Sequence, residues 1–221
     1  MKLLKHVVRS MDQNVYIYFD ENTKEGVIID PGAQAQAIAK IIDDNGINVK
    51  AILLTHGHSD HIGAVNELKE KYNIPVGAHK WEIPVLRDEG ANLSLMLTSK
   101  STVIVPDLAF EDGDEFKFNN CTLKVIHTPG HTQGGACYYD AQNGVLFSGD
   151  TLFYASVGRT DFPNPPMENG MGYPSYENTS RLLSSIEKKL FVLPDETLVF
   201  PGHGGQSKIG FEKKFNPFVK G

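Results

Sequence analysis

Between Thr55 and His61 the chain reads Thr-His-Gly-His-Ser-Asp-His, which places His56, His58, Asp60 and His61 within a few residues of one another. Imidazole nitrogens and carboxylate oxygens suit zinc, iron or manganese, whereas a calcium site would be mostly oxygen. Alternate positions on a loop let His56 and His58 grip one ion. Asp60 and His61, at the start of a helix, can turn to a second. Farther along, His131 in Thr128-Pro-Gly-His-Thr, Asp150 in Phe147-Ser-Gly-Asp-Thr and His203 in Phe200-Pro-Gly-His-Gly share one design. Each follows apolar residues and a glycine that lets backbone approach closely. Hydrolysis is one chemistry open to such a set, because a water shared by two divalent ions loses much of its proton affinity and yields hydroxide near neutral pH. No serine or cysteine nucleophile motif is needed, and none is present.

The elements that must position these residues are legible in the hydrophobic pattern. Short β-branched and aromatic runs at Val7 to Val8, Val15 to Phe19 and Gly26 to Asp30 read as a meander of strands. Ala35, Ile38, Ala39, Ile41 and Ile42 recur at helical spacing until Asn45-Gly46 stops them. Val49 to Leu54 is an apolar strand that ends at Thr55-His56, and Ile62, Val65, Leu68 and Tyr72 mark a helix from about Ser59. Pro75 to Ala78 reads as a short strand, Lys80 to Arg87 as a helix, and Ala91 to Ser99 as irregular or helical. In the second half, Glu115 to Phe118, Thr122 to Ile126, Ala136 to Tyr139, Val145 to Phe147 and Leu198 to Phe200 read as strands, with a helix from about Tyr176 to Leu190. Two runs of strands with accompanying helices suggest two packed sheets with helices outside. Every polar cluster follows a strand, so the loops can gather at one edge and form a site.

The 221 residues are 40% hydrophobic and 22% charged, which is ordinary globular usage and argues against disorder or a fibrous architecture. One domain spanning 1–221 is expected. A net charge of −6 without any long basic run argues against a nucleic-acid backbone as the principal partner; a small-molecule substrate is expected. Cys121 and Cys137 are expected to be packed thiols. The N-terminal residues lack the apolar core of a signal peptide, and no stretch approaches the roughly 18 residues of a membrane span. A cytoplasmic protein without membrane partners is expected.

The His56-x-His58-x-Asp60-His61 loop, followed by distant His131, Asp150 and His203, resembles the signature of the metallo-β-lactamase superfamily, and the resemblance covers nearly the whole chain. It implies an α/β (α+β) fold, a four-layer αββα sandwich of two mixed β-sheets. It also implies two divalent metal ions, zinc first and iron or manganese as alternatives. His56, His58 and His131 would hold one ion, Asp60, His61 and His203 the other, and Asp150 would bridge them. Within the superfamily, Thr128-Pro-Gly-His-Thr, Gly149-Asp-Thr-Leu-Phe, Gly158-Arg-Thr-Asp-Phe and Pro201-Gly-His-Gly are similar to blocks of the glyoxalase II-like (hydroxyacylglutathione hydrolase-like) enzymes.

That resemblance implies a binuclear thioester or ester hydrolase in which a metal-bridging hydroxide attacks the carbonyl and Asp60 orients it or relays a proton. Arg159 is a candidate for holding a substrate carboxylate, and Asp30 for supporting the histidine loop. The sequence departs from glyoxalase II in two places. The chain ends soon after Asn216-Pro-Phe218, leaving no room for the C-terminal helical domain of longer members, and Thr160-Asp161 stand where a tyrosine is expected after the basic residue. Glutathione specificity is therefore not implied. Asp150 stands where zinc β-lactamases often carry cysteine, which disfavours antibiotic hydrolysis. A persulfide dioxygenase-like oxidoreductase using one iron, which shares the Gly158-Arg-Thr-Asp-Phe block, and a lactonase are the alternatives. The Pro-, Gly- and Met-rich segment from Phe162 to Tyr173 reads as an adaptable loop, a candidate to line or cover the substrate pocket with a disordered surface loop as the alternative reading, and His79 and His127 are expected to support or pack.

Overall fold

The computed structural model describes residues 1–9, 11–98, 101–162, 164–165 and 173–220. β1 (Lys2–Val8), β2 (Gln13–Phe19), β3 (Glu25–Ile29), β4 (Asn48–Leu53), β5 (Val76–His79) and β6 (Leu108–Phe110) lie side by side in that order as one sheet. It is antiparallel from β1 to β3 and parallel from β3 to β6. The second half adds β7 (Glu115–Phe118), β8 (Cys121–His127), β9 (Ala136–Asp140), β10 (Val145–Gly149), the hairpin β11 (Leu152–Phe153) and β12 (Ser156–Val157), β13 (Leu198–Pro201) and β14 (Ser207–Lys208). Six of these form the second sheet in the order β14-β13-β10-β9-β8-β7, with only β10 and β13 parallel. There are two sheets, as the sequence pattern leads one to expect, and both are mixed, as the resemblance implies.

The period of two along each strand divides the core into layers. Tyr16 and Tyr18 of β2 point into the space between the sheets, where they meet Phe147, Tyr138, Val125 and Leu123 of the second sheet. Val15, Ile17 and Phe19 point the other way, onto Ile38 and Ile42 of α1 (Ala35–Asp44). On the far side Cys137, Leu146 and Val199 pack against Leu182, Ile186 and Leu190. The buried phenols are satisfied across the sandwich: Tyr138 donates to the Leu54 carbonyl at 2.9 Å, Tyr16 to the Pro201 carbonyl at 2.7 Å and Tyr18 to Asp140 at 2.8 Å. Helices outside two face-to-face sheets make the four-layer αββα sandwich.

Several elements depart from the sequence reading for identifiable reasons. The helix expected from Ser59 is split into α2 (Ser59–Ile62) and α3 (Val65–Tyr72), because the Ala64 amide turns to the Pro31 carbonyl at 3.0 Å. Lys80 to Arg87 becomes a tight turn followed by α4 (Ile83–Arg87), and α5 spans Ser94–Thr98. The helix expected to Leu190 is α6 (Asn178–Ser185), which widens at its end so that the Phe191 amide reaches the Ile186 carbonyl at 2.8 Å. Strands β6, β11, β12 and β14 are too short to show a period, and Gly210 interrupts the helical pattern of α7 (Ile209–Phe215). Cys121 and Cys137 are buried free thiols. Much of the 162–173 segment lies outside the described residues, among which no helix is long and apolar enough to cross a membrane.

Candidate metal centre

Five strand ends converge on one edge of the sandwich. β3 delivers Asp30, β4 the Thr55–His61 loop, β8 the turn with His131, β10 Asp150 and β13 His203. The His203 loop is pinned to β2: the Asn14 amide donates to the Gly202 carbonyl at 2.7 Å, and its side chain donates to the Pro201 carbonyl at 2.9 Å. Gly202 has no room for a side chain. A Cβ there would lie 2.3 Å from Asp150 Oδ1 and 2.6 Å from His61 Cε1, so glycine is what allows these two side chains to meet.

All seven residues singled out by the sequence come together in two triads about one carboxylate. His56, His58 and His131 present nitrogens to one another, with His58 Nδ1 and His131 Nε2 2.9 Å apart. Asp60, His61 and His203 form the second triad. Its spacings are 3.1 Å from His203 Nε2 to Asp60 Oδ2, 3.4 Å from His61 Nε2 to His203 Nε2 and 3.8 Å from His61 Nε2 to Asp60 Oδ2. Asp150 lies between them: Oδ2 is 3.6 Å from His131 Nε2 in the first triad and 3.6 Å from His203 Nε2 in the second, and Oδ1 is 3.4 Å from His61 Nε2. Ligands about 2.0–2.1 Å from a tetrahedral ion stand roughly 3.3 Å apart, and these spacings bracket that value. His56 Nε2 and Asp150 Oδ1 are buried without a hydrogen-bond partner. Buried polar atoms are rarely left so, and the donor set therefore fits divalent cations. A third grouping, Asp30, His56 and His61, is filled already, because both Asp30 oxygens accept hydrogen bonds.

The electrostatics separate the triads. Burial lowers the proton affinity of all these imidazoles. It keeps His56 and His131 below the usual histidine range, and it takes His58 down to about 3, helped by neighbouring His131. In His61 and His203 the carboxylates overcome burial and hold the proton more tightly than usual, chiefly Asp150 and Asp60 for His61 and Asp60 for His203. Burial opposes ionisation of Asp60 and Asp150 as well, yet His61 beside each keeps both below the usual carboxylate range. The first triad thus offers neutral nitrogens, and the second would have to give up protons to accept a cation. The His203 side chain is 28% exposed while His61 is fully covered, so the centre opens at the His203 edge.

Residues behind the candidate ligands fix their orientation. The Asp30 carboxylate accepts from the Thr55 amide at 2.7 Å, the Thr55 hydroxyl at 2.5 Å and His61 Nδ1 at 3.0 Å. His131 Nδ1 donates to the Arg159 carbonyl at 2.8 Å, and His203 Nδ1 to the Met11 carbonyl at 3.2 Å. In each case the far nitrogen turns to the centre. The Arg159 side chain is exposed. It pairs with Asp161 at 2.7 Å and lies 4.7 Å over the Phe162 ring, which in turn covers His58 at 4.6 Å and His131 at 5.5 Å. Its guanidinium is thus one aromatic ring removed from the triad. His79 and His127 stand apart as a stacked pair with ring centroids 3.9 Å apart.

Sequence reasoning did not single out Glu82 or the backbone carbonyls of Met11 and Arg159. Carbonyls leave no mark in residue types. For Glu82 the signal was an acid in an otherwise apolar segment, Trp81-Glu-Ile-Pro-Val-Leu.

Known proteins resemble the chain over its whole length. It is 36% identical over 222 residues to a probable metallo-hydrolase of Bacillus subtilis, covering 100% of this chain and 99% of that one. It is 33% identical to a hydroxyacylglutathione hydrolase of Haemophilus influenzae, covering 96% and 95%. Among solved structures, the BLEG-1 B3 metallo-β-lactamase superposes with a TM-score of 0.87 at 36% identity, covering 100% of both chains. TTHA1623, solved in a di-iron-bound form, superposes with a TM-score of 0.80 at 32% identity, covering 98% of this chain and 100% of that one. The model of the metallo-beta-lactamase superfamily matches residues 10–203. With that match, two mixed sheets between helices and a His/Asp cluster at their edge, the chain belongs to the metallo-β-lactamase superfamily.

Proposed function

We propose that this protein is a binuclear metal-dependent hydrolase of thioesters or esters, similar to the glyoxalase II-like enzymes. The observation that carries the reading is the Asp150 carboxylate, within 3.6 Å of imidazole nitrogens from both triads. His56, His58 and His131 would hold one ion, Asp60, His61 and His203 the other, and Asp150 both. When bound, the two cations would supply Lewis acidity to a substrate carbonyl and a water of lowered proton affinity.

The chain's own side chains account for the remaining tasks. Asp60 sits at the open edge beside His203, where it can orient the attacking water or take its proton. Phe162 covers the His58 and His131 side and keeps bulk water from it. Arg159, exposed above that ring, would exchange Asp161 for the carboxylate of an anionic substrate. The hydroxyacylglutathione hydrolase relative supports a thioester as substrate class. Asp60, His61 and His203, present together as a second triad, favour a binuclear hydrolase over a persulfide dioxygenase-like enzyme using one iron.

The test is a panel of thioesters, esters, lactones, β-lactams and phosphodiesters, run on zinc, iron and manganese forms with oxygen uptake followed in parallel. β-Lactams belong in it because a B3 metallo-β-lactamase is among the similar structures, which weakens the exclusion drawn from Asp150 in place of cysteine. Thioester cleavage without oxygen uptake is the expected result. Oxygen consumption with a persulfide, or selective turnover of β-lactams, would replace the proposal.

A further inference from the structure

Glu82 is fully buried, and among the described residues no lysine or arginine neutralises it. Three donors surround its carboxylate. The Gly57 amide donates to Oε1 at 2.7 Å, the Thr132 hydroxyl to Oε2 at 2.8 Å and the Gly134 amide to Oε2 at 2.9 Å. Gly57 lies between His56 and His58, and Thr132 follows His131 directly. One carboxylate therefore ties together the two loops that carry the first triad, without touching any of its imidazoles among the hydrogen bonds formed. The backbones close in as well: a Cβ on Gly134 would lie 2.0 Å from the Glu82 amide nitrogen, so this turn is fitted to the segment that carries Glu82.

A buried carboxylate is a costly way to join two loops. Its advantage is that it only accepts. A glutamine in the same place has one oxygen and an NH2 group, so it must confront at least one of the three donors with another donor. The second triad is anchored elsewhere, His61 by Asp30 and His203 by the Met11 carbonyl.

We infer that Glu82 is a positioning residue, which sets His56 and His58 against His131 and thereby the metal affinity of that triad but not of the triad Asp60, His61 and His203. The inference rests on the reading that the triads hold metal ions, and its test separates the two. Zn2+ affinity is measured by competition with a chromophoric chelator in two backgrounds, His203→Ala, which leaves the first triad whole, and His131→Ala, which leaves the second. Glu82→Gln should weaken Zn2+ binding about 10–100-fold in the His203→Ala background, the range usual for a partner behind the ligands. It should leave binding in the His131→Ala background unchanged. Equal weakening in both backgrounds, or none in the first, would overturn the assignment. Should Glu82→Gln fail to fold, Thr132→Val removes one of the three donors and is judged by the same comparison, with a smaller loss expected. Absence of Zn2+ binding in both backgrounds before Glu82 is altered would remove the metal reading, and this inference with it.

Discussion

Replacing Asp30 by asparagine would test how the second triad is tuned without touching a ligand. Asp30 has a φ of 50°, a left-handed conformation that asparagine also adopts readily, so the backbone should tolerate the change. In the native protein Oδ1 accepts from the Thr55 amide, while Oδ2 accepts from the Thr55 hydroxyl and from His61 Nδ1. With Nδ1 held as the donor to Asp30, the proton that His61 would give up to a cation is the one on Nε2, which faces Asp60, Asp150 and His203. An asparagine that keeps the Thr55 amide bond turns its NH2 toward His61 and favours the opposite tautomer, with a proton where a cation would bind. A hydrogen bond to a charged group is worth about 1.5–3 kcal/mol. At about 1.4 kcal/mol per decade this corresponds to a loss of affinity of roughly 10–100-fold, the range also found for partners behind metal ligands. The assay is competitive Zn2+ titration of metal-depleted protein with activity followed at each free Zn2+ concentration. Weaker binding of one equivalent, with activity recovered at excess metal, is the expected outcome. Unchanged affinity would refute the tautomer argument.

The remaining predictions concern ligands, substrate and pH. Asp150→Ala should abolish activity and release metal, whereas Arg159→Ala should keep its metal; elemental analysis beside kcat separates the two, and equal kcat losses with metal retained in both would contradict the bridging role. Arg159→Ala should raise KM for anionic thioesters more than for neutral esters, since only anionic substrates lose a charge-assisted hydrogen bond; identical losses would make Arg159 structural. Burial, with His127 stacked against it, takes His79 from the usual 6.5 to about 3. Because the folded value is the lower one, the unfolded chain takes the proton first. This contribution to stability is full above about pH 6.5 and is lost as the pH falls toward 3, by up to about 1.4 kcal/mol per pH unit. His79→Asn, which keeps an acceptor for the Trp81 amide, should therefore lose less stability than the parent between pH 7 and pH 5 in urea unfolding.

How much of this was legible in the sequence depended on the range of the interactions involved. The strands that bear the site were readable because Val15 to Phe19, Val49 to Leu54 and Val145 to Phe147 are nearly continuous apolar and aromatic runs, Lys50 excepted, as strands buried on both faces are. The seven candidate ligands were readable because histidine and aspartate directly after strand ends have few other uses in such density. Tertiary decisions were not readable. The split between α2 and α3 is set by Pro31, 33 positions before Ala64, and β6 exists only because β5 pairs with it. Asp30 could be suspected from its place at the end of Val27-Ile-Ile, yet its three donors lie 25 and 31 positions away. Glu82 belongs to the same class: its meaning appears only when Gly57 and Thr132 are brought to it. Nor was it readable that the ring of Phe162 stands between the Arg159 guanidinium and the triad.

The most direct measurement of the central claim is metal stoichiometry coupled to turnover. Metal-depleted protein would be titrated with Zn2+ and, in parallel, anaerobically with Fe2+, while hydrolysis of a hydroxyacyl thioester is followed. Binding of two ions per chain, with activity rising as the second is taken up and no oxygen consumed, is the expected result. Saturation at one ion with full activity would show that Asp60, His61 and His203 do not form a metal-holding set, and the binuclear hydrolase would be withdrawn.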